Sequence, residues 1–323
     1  MKSAKEYRNC KFESLLPWTA ADRAESVVFE MKQYLSVREA VLDLFGAEIS
    51  SVQPVNGGDI NRAYRLTIRE INVFMKANSR DNLPFFLAEA AGLETIAETK
   101  TICVPKILGA GTDQKYGSFL LLEWCQGISS KTFFETFGHQ LAAMHLADTR
   151  KILKSGKYGY FQDNYIGSSK QENTAHDAWG PFYRECRLAP QFRRASAFFD
   201  SADFKRIEYL MDHLDLYLPE PDRPSVLHGD LWCGNYITGN DGEAWLIDPA
   251  VYVGHAEADL AMTELFGGFP REFYSAYDEV CKIDREYARR RDLYNLYHVL
   301  NHLNLFGGSY IWEVKRILRL FGG

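Results

Sequence analysis

Asp230 and Asn235 lie in the stretch Val226-Leu227-His228-Gly229-Asp230-Leu231-Trp232-Cys233-Gly234-Asn235, with four residues between them. A carboxylate and an amide at this D-x-x-x-x-N spacing are the working groups of a phosphoryl-transfer loop. The carboxylate can sit beside an attacking hydroxyl, and the amide oxygen can sit on Mg²⁺. Gly229 and Gly234 let the backbone turn tightly around both. Alone, the spacing is common by chance, and a glycine-bearing turn explains it equally well.

The next residues add weight. Tyr236-Ile237-Thr238 and Ala244-Trp245-Leu246-Ile247 flank Asp241-Gly242, a strong hairpin signal. With Asp241 and Gly242 as a two-residue loop, Asn235 faces Asp248 across the ladder. Two oxygen donors at one place suit a Mg²⁺ that bridges ATP phosphates. A slip of one residue in register breaks this pairing.

Other residues are expected to complete a nucleotide site. Lys76 ends the apolar run Ile71 to Met75 and can reach phosphate as a point charge. Helical periodicity after Pro84 places Glu89 within the apolar stripe, with Glu94 and Glu98 beside it. An inward carboxylate needs a partner, and Lys76 is the natural one. Gly57 and Gly58 let backbone amides approach phosphate, although a plain turn explains them as well. Glu123-Trp124-Cys125 offers backbone groups to adenine, or is simply a linker.

These residues need a scaffold of two parts. Residues 1–25 read as a loosely tied extension. A helix is predicted from Val27 to Phe45, ended by Gly46. Strands are predicted at Val52–Val55, Ala63–Ile68, Ile71–Ala77, Val104–Leu108 and Ser118–Trp124, with one helix inserted from Pro84 to about Thr99. After Gly127 the pattern turns helical, over Phe133–Ala147, Ala178–Phe199, Phe204–Tyr217, Ala256–Phe266 and Asp292–Phe306. The expected fold is α+β and bilobal, like a protein kinase. A small β-rich lobe over residues 26–125 precedes a larger, mainly helical lobe over 126–323.

Composition narrows the function. With 46% hydrophobic and 25% charged residues, a sizeable core is available. The net charge of -6 argues against a nucleic-acid partner. No apolar run reaches the ~18 residues of a membrane span, and the polar N-terminus lacks the apolar core of a signal peptide. The 6 cysteines are scattered without metal-ligand spacing, which fits reduced thiols in the cytoplasm.

The motifs are long enough to carry a resemblance. LHGDLWCGN, Leu227 to Asn235, resembles the LHGDLWSGN loop of the fructosamine kinase (ketosamine 3-kinase) family. DNYIG at Asp163, DPA at Asp248, GHAEADLAM at Gly254, LFGGF at Leu265 and LYNLYHVLNHLNLFGG at Leu293 fit the same family. The likeness runs from about Tyr34 to the end. It implies an aminoglycoside-phosphotransferase type of kinase fold, with ATP and Mg²⁺ as cofactors. The implied acceptor is the sugar 3-hydroxyl of a ketosamine, on a small amine or a protein lysine, and the phosphorylated adduct then decomposes to free the amine. It also implies Asp230 as base, Asn235 and Asp248 as metal ligands, and Lys76 with Glu89 as the phosphate-binding pair. Asp259 would brace the loop, Trp232 would flank the sugar, and His228 would support both. Cys233 departs from the usual Ser, and Val253 from a common aromatic. The glycine loop at residues 56–61 lacks a cysteine found in some relatives, which gives no basis for a thiol switch there.

Three rivals stay open. A protein kinase needs a long segment after its metal-binding Asp, yet only ten residues separate Asp248 from Asp259. An aminoglycoside or choline-type kinase would share the catalytic parts. A non-catalytic binding protein would normally have lost Lys76, Asp230, Asn235 or Asp248.

Overall fold

The computed structural model describes residues 31–55, 60–127, 130–153 and 156–323. The N-terminal extension, Gly57 and Gly58, and the start of the helix expected from Val27 lie outside that set.

The first described element is a strand, β1 (Gln33–Tyr34), where helix was expected. Helix α1 (Val37–Phe45) begins later because Ser36 is extended and its hydroxyl accepts the Glu39 N–H. Gly46, in the left-handed region, ends the helix as expected. Then follow β2 (Ser51–Val55), β3 (Arg62–Ile68), β4 (Ile71–Asn78), helix α2 (Leu83–Glu98), β5 (Ile107–Asp113) and β6 (Gly117–Glu123). The sheet has six strands rather than five, in the order β1-β5-β6-β4-β3-β2.

β5 runs through Gly109 and Gly111, further along than the predicted Val104–Leu108. Glycine is a poor strand former, which hid this strand. Its use here is close approach: a Cβ on Gly111 would lie 2.0 Å from the Tyr34 carbonyl oxygen. Only glycine lets β1 pair alongside β5.

Alternation along β6 splits the small lobe into two apolar layers. Phe119 and Leu121 pack with Val37 and Val41 of α1. Leu120 and Leu122 pack with Phe86, Ala90 and Leu93 of α2. The outer side of α2 is covered by the helical lobe. Thr95 Oγ1 lies 2.6 Å from Tyr160 Oη, which also donates to the Ala91 carbonyl at 3.1 Å.

The helical lobe holds α3 (Phe133–His145), α4 (Thr149–Leu153), the hairpin β7 (Asn164–Ile166) and β8 (Ser169–Gln171), and α5 (Trp179–Phe182). A π-turn leads from α5 into α6 (Ala189–Arg194), followed by α7 (Ser201–Asp212). Next come β9 (Ser225–Leu227), β10 (Tyr236–Thr238), β11 (Ala244–Leu246) and β12 (Tyr252–Gly254). The chain closes with α8 (Ala256–Glu264), α9 (Arg271–Val280), α10 (Tyr287–Phe306) and α11 (Ile311–Phe321). The sequence reading missed β7, β8, β9 and β12, which are too short for a period of two to show. Among the described residues, no helix is long and apolar enough to cross a membrane.

Gly111→Ala must push β1 off the sheet edge. A loss of about 1–3 kcal/mol is expected, seen as a lower urea midpoint at unchanged slope. An unchanged midpoint would show that β1 contributes nothing to the sheet.

Candidate active site

The loop from His228 to Asn235 leaves β9, which pairs antiparallel with β12. Asp259, on α8, holds its start. Asp259 Oδ2 accepts the His228 N–H at 2.7 Å, and Oδ1 accepts the Gly229 N–H at 2.8 Å. His145 adds a contact from Nε2 at 3.2 Å, and its Nδ1 meets Tyr277 Oη at 2.8 Å. Burial acts to raise the Asp259 pKa, but the bond and charge interaction with His145 and the Gly229 N–H outweigh it and hold it below the ordinary value. Gly229 has φ +82°, and a Cβ there would lie 2.1 Å from the Ala250 carbonyl oxygen. Both facts require glycine.

His228 is fully buried and tied at both ring nitrogens. Nδ1 accepts the Asp230 N–H at 3.2 Å, so Nε2 carries the proton and donates to the Ile247 carbonyl at 2.9 Å. Burial lowers its pKa and keeps the ring neutral.

Asp230 follows, with a side chain only 18% exposed. Asn235 Nδ2 donates to the Asp230 carbonyl at 2.7 Å and to its Oδ2 at 3.1 Å. Burial pushes the Asp230 carboxyl up to about 7, the Asn235 bond opposes this, and the Asp259 charge adds to it. A carboxyl poised near neutrality suits proton exchange with a hydroxyl.

The β10–β11 register differs from the expected one. Tyr236 faces Leu246 and Thr238 faces Ala244, so Asn235 lies opposite Ile247 rather than Asp248. The loop spans Gly239 to Glu243, closed by the Gly239 N–H to Glu243 carbonyl bond at 2.7 Å. Asp241 does not form a two-residue turn. Its carboxylate accepts from the Glu243 N–H and from Trp245 Nε1.

A regular strand in this register would turn Asp248 away from Asn235. Asp248 instead has φ +55°, a left-handed conformation that Asp tolerates better than most residues. The kink ends the strand and aims the carboxylate at Lys76, which it contacts directly. Lys76 Nζ also meets Glu89 Oε1 at 2.7 Å, and both of those side chains are buried. Glu89 is thus the helix carboxylate that reaches the strand lysine.

The donors present fit a hard cation. Asn235 commits its amide nitrogen to the loop, which leaves Oδ1 as its acceptor, and the Asp248 carboxylate is 45% exposed. No group of three His, Cys, Asp or Glu side chains able to hold a metal occurs among the described residues. Two protein oxygens, with the remaining positions left to water and phosphate, suit Mg²⁺ rather than a metal needing a full protein cage.

Glu123, Trp124 and Cys125 cross between the lobes. The Glu123 N–H is committed to the Lys106 carbonyl at 2.8 Å. Asn240 clamps the connector, donating to the Trp124 carbonyl and accepting the Gln126 N–H at 2.9 Å. The Cys125 backbone lies between these two bonds. Burial raises the Cys125 thiol to about 12, so it stays protonated.

Trp232 folds over Gly234, where a Cβ would lie 2.4 Å from the indole, and its ring meets Phe266 at 6.4 Å. Sequence reasoning missed several supports. Asn164 Nδ2 and Gln171 Nε2 strap the β7–β8 hairpin to the Val251 and Ala250 carbonyls, just beyond Asp248. His145 lies too far away in the chain for any spacing to reveal it. His298 had a readable signal, since His298 and His302 share one face of α10.

A buried strand lysine on a helix glutamate, a braced D-x-x-x-x-N loop and a carboxylate ending the next hairpin, set between a β-rich and a helical lobe, define a phosphotransferase of the kinase class. The chain belongs to the fructosamine kinase family, whose model matches residues 35–321. It is 39% identical over 277 residues to a probable ketoamine kinase of Synechocystis, covering 84% of this chain and 90% of that one. It is 39% identical over 266 residues to a chloroplastic protein-ribulosamine 3-kinase of Oryza sativa, covering 81% and 76%. A solved structure from Thermobifida fusca, provisionally assigned as a fructosamine-3-kinase, superposes with TM-score 0.76 at 34% identity over 88% of this chain and 98% of that one. An aminoglycoside phosphotransferase in ternary complex with ADP and hygromycin B shares the fold alone, with TM-score 0.58 at 16% identity over 89% and 99%.

Asp259→Asn replaces one acceptor oxygen by an NH₂ facing an N–H donor or His145. Stability is expected to fall by about 2–4 kcal/mol in urea titration, with turnover falling alongside. Wild-type values for both would remove Asp259 as the brace.

Proposed function

We propose that this protein transfers the γ-phosphoryl group of ATP to the 3-hydroxyl of a ketosamine borne on a small amine or a polypeptide lysine. The observation that carries this reading is the loop geometry. Asp230 is a partly buried carboxylate of raised pKa, locked between Asn235 and the Asp259 brace, in a chain whose relatives include ketoamine kinases. Asp230 orients the acceptor hydroxyl and takes its proton. Lys76, fixed by Glu89, holds phosphate oxygens. Asn235 and Asp248 would hold Mg²⁺, which when bound neutralises phosphate charge. The Cys125 segment faces adenine with its backbone, and Trp232 flanks the sugar. Aminoglycosides are disfavoured as acceptors because similarity to their kinases falls to the level of fold. Among the described residues, thiols outside any disulfide at Cys125, Cys186, Cys233 and Cys281 support a reducing compartment, the cytoplasm.

Asp230→Asn tests the reading. Calorimetry should show Mg-ATP binding retained, while phosphorylation of a fructosamine falls by roughly 10²-fold or more. A 3-deoxy ketosamine should bind the wild-type protein without consuming ATP. ATP consumption with the 3-deoxy compound at the fructosamine rate would assign the wrong hydroxyl. Turnover on aminoglycosides and on no ketosamine would reject the acceptor class.

A further inference from the structure

The two oxygens of Asp230 are held differently. Asn235 Nδ2 donates to Oδ2 at 3.1 Å. Across Oδ1 stands the His298 ring of α10, with its Nδ1 4.0 Å away. His298 is 3% exposed, and that nitrogen has no hydrogen-bond partner. Leaving a buried polar atom unpaired costs about 1–3 kcal/mol. An apolar ring would fill the same space without that cost. A direct bond needs a separation of about 3 Å, so the ring stands one short movement from Asp230. Burial pushes the His298 pKa down to about 3, so the ring is neutral and carries one proton. A lone pair on Nδ1 would face the carboxylate oxygen and repel it, whereas an N–H there is attracted. Nδ1 therefore carries the proton.

Hydrogen bonds fix the helix that carries this ring to the loop that carries Asp230. Tyr297, the residue before His298, donates from Oη to Gln171 Oε1 at 2.7 Å. Gln171 Nε2 donates to the Ala250 carbonyl at 3.0 Å, and the Ala250 N–H donates to the His228 carbonyl at 2.8 Å. His228 lies two residues before Asp230. One turn beyond Tyr297, Asn301 Nδ2 donates to the Ile166 carbonyl of β7 at 3.4 Å. The imidazole and the carboxylate thus belong to one hydrogen-bonded frame.

We propose that His298 is a positioning residue for phosphoryl transfer: its Nδ1–H closes onto Asp230 Oδ1 as the acceptor hydroxyl arrives and fixes the plane of the carboxylate. The proposal rests on the reading of Asp230 as the base. Catalytic hydrogen bonds are often long before the reactants bind and tighten in the reacting complex. A carboxylate oxygen has two lone pairs, so Oδ1 can accept the His298 N–H and the acceptor O–H together. With Asn235 on Oδ2, the carboxylate is then held at both oxygens and cannot turn about its Cβ–Cγ bond. The hydroxyl proton passes to Oδ1, the hydroxyl oxygen bonds the γ-phosphorus, and ADP leaves. His298 keeps its own proton throughout.

The test compares His298→Phe, His298→Asn and His298→Gln with wild type on a fructosamine and ATP, with calorimetric ATP affinity showing that each variant is folded. Phe keeps the ring without an N–H, the Asn amide nitrogen falls where Nδ1 lies, and that of Gln falls near Nε2. His298→Phe should lower kcat by about 10- to 100-fold with both KM values little moved, as for a misplaced reacting group. His298→Asn should recover most of the loss and His298→Gln little. In an Asp230→Asn background, His298→Phe should add almost nothing. Wild-type kcat in His298→Phe, a loss in His298→Asn as large as in His298→Phe, or equal fold losses in both backgrounds overturns the proposal and leaves Asp230 as the base. Wild-type turnover in Asp230→Asn alone overturns the base and this role together. A second readout needs no acceptor. Long-range ¹H–¹⁵N correlation spectra of histidine-labelled protein, with the signal assigned by its loss in His298→Asn, should show His298 protonated at Nδ1. Protonation at Nε2 overturns the proposal, whatever the acceptor proves to be.

Discussion

The buried carboxylate of Asp259 is the interaction on which the catalytic loop depends. An isolated charge at such a site would cost several kcal/mol in lost hydration. Two backbone N–H groups and His145 repay it, because bonds to a charged acceptor contribute about 1.5–3 kcal/mol each. The N–H groups belong to His228 and Gly229, so one side chain of α8 dictates where the loop leaves β9. Everything downstream inherits that position. Gly229 turns in the left-handed region, His228 ties the loop to Ile247, and Asp230 and Asn235 close on each other.

A second constraint sits above the loop. Lys76 joins Glu89 on the helix above to Asp248 on the segment below, so a single ammonium links both lobes. Helix α2 is held between the sheet and the helical lobe. The Thr95–Tyr160 contact, the bond from Tyr160 to Ala91, and the Phe85–Tyr165 ring contact at 5.2 Å fix its outer side. Swinging α2 outward would break all of these along with the Lys76–Glu89 pair. The glutamate is built in by packing, and its position needs no separate switch.

The helical lobe serves the site through short straps more than through its core. Asn164, Gln171 and the Ala250 N–H to His228 carbonyl bond, 2.8 Å long, hold residues 249–251 against the loop. That explains why the DNYIG motif, remote from the chemistry in sequence, belongs with the catalytic motifs. Arg187 anchors the same region from beneath. It is fully buried, donates to the Glu172 carbonyl and Asn173 Oδ1, and lies 3.9 Å over the Tyr252 ring. Carbonyl dipoles and an aromatic face there take the place of a carboxylate partner.

The residue types proposed to do the chemistry were legible in the sequence as candidates, because spacing within one loop and periodicity within one helix are local properties. Asp230 and Asn235 follow from the loop, and Glu89 follows from the apolar stripe that carries it inward. The small lobe was legible in outline for the same reason. What depended on contacts between distant segments was not. The strand at β1 exists because Gly111 admits the Tyr34 backbone, and no window around Tyr34 contains that glycine. Asp248 was paired with Asn235 by counting across a two-residue turn, whereas the Asp241 side chain builds a longer loop and shifts the ladder by one. A left-handed kink, which no hairpin rule contains, then aims Asp248 at Lys76. His145 and His298 reach the loop from helices far away in sequence, so only the packing of those helices could bring them to Asp259 and Asp230. Local sequence chose the candidate reacting groups, and tertiary packing decided which buried neighbours set their orientation and charge.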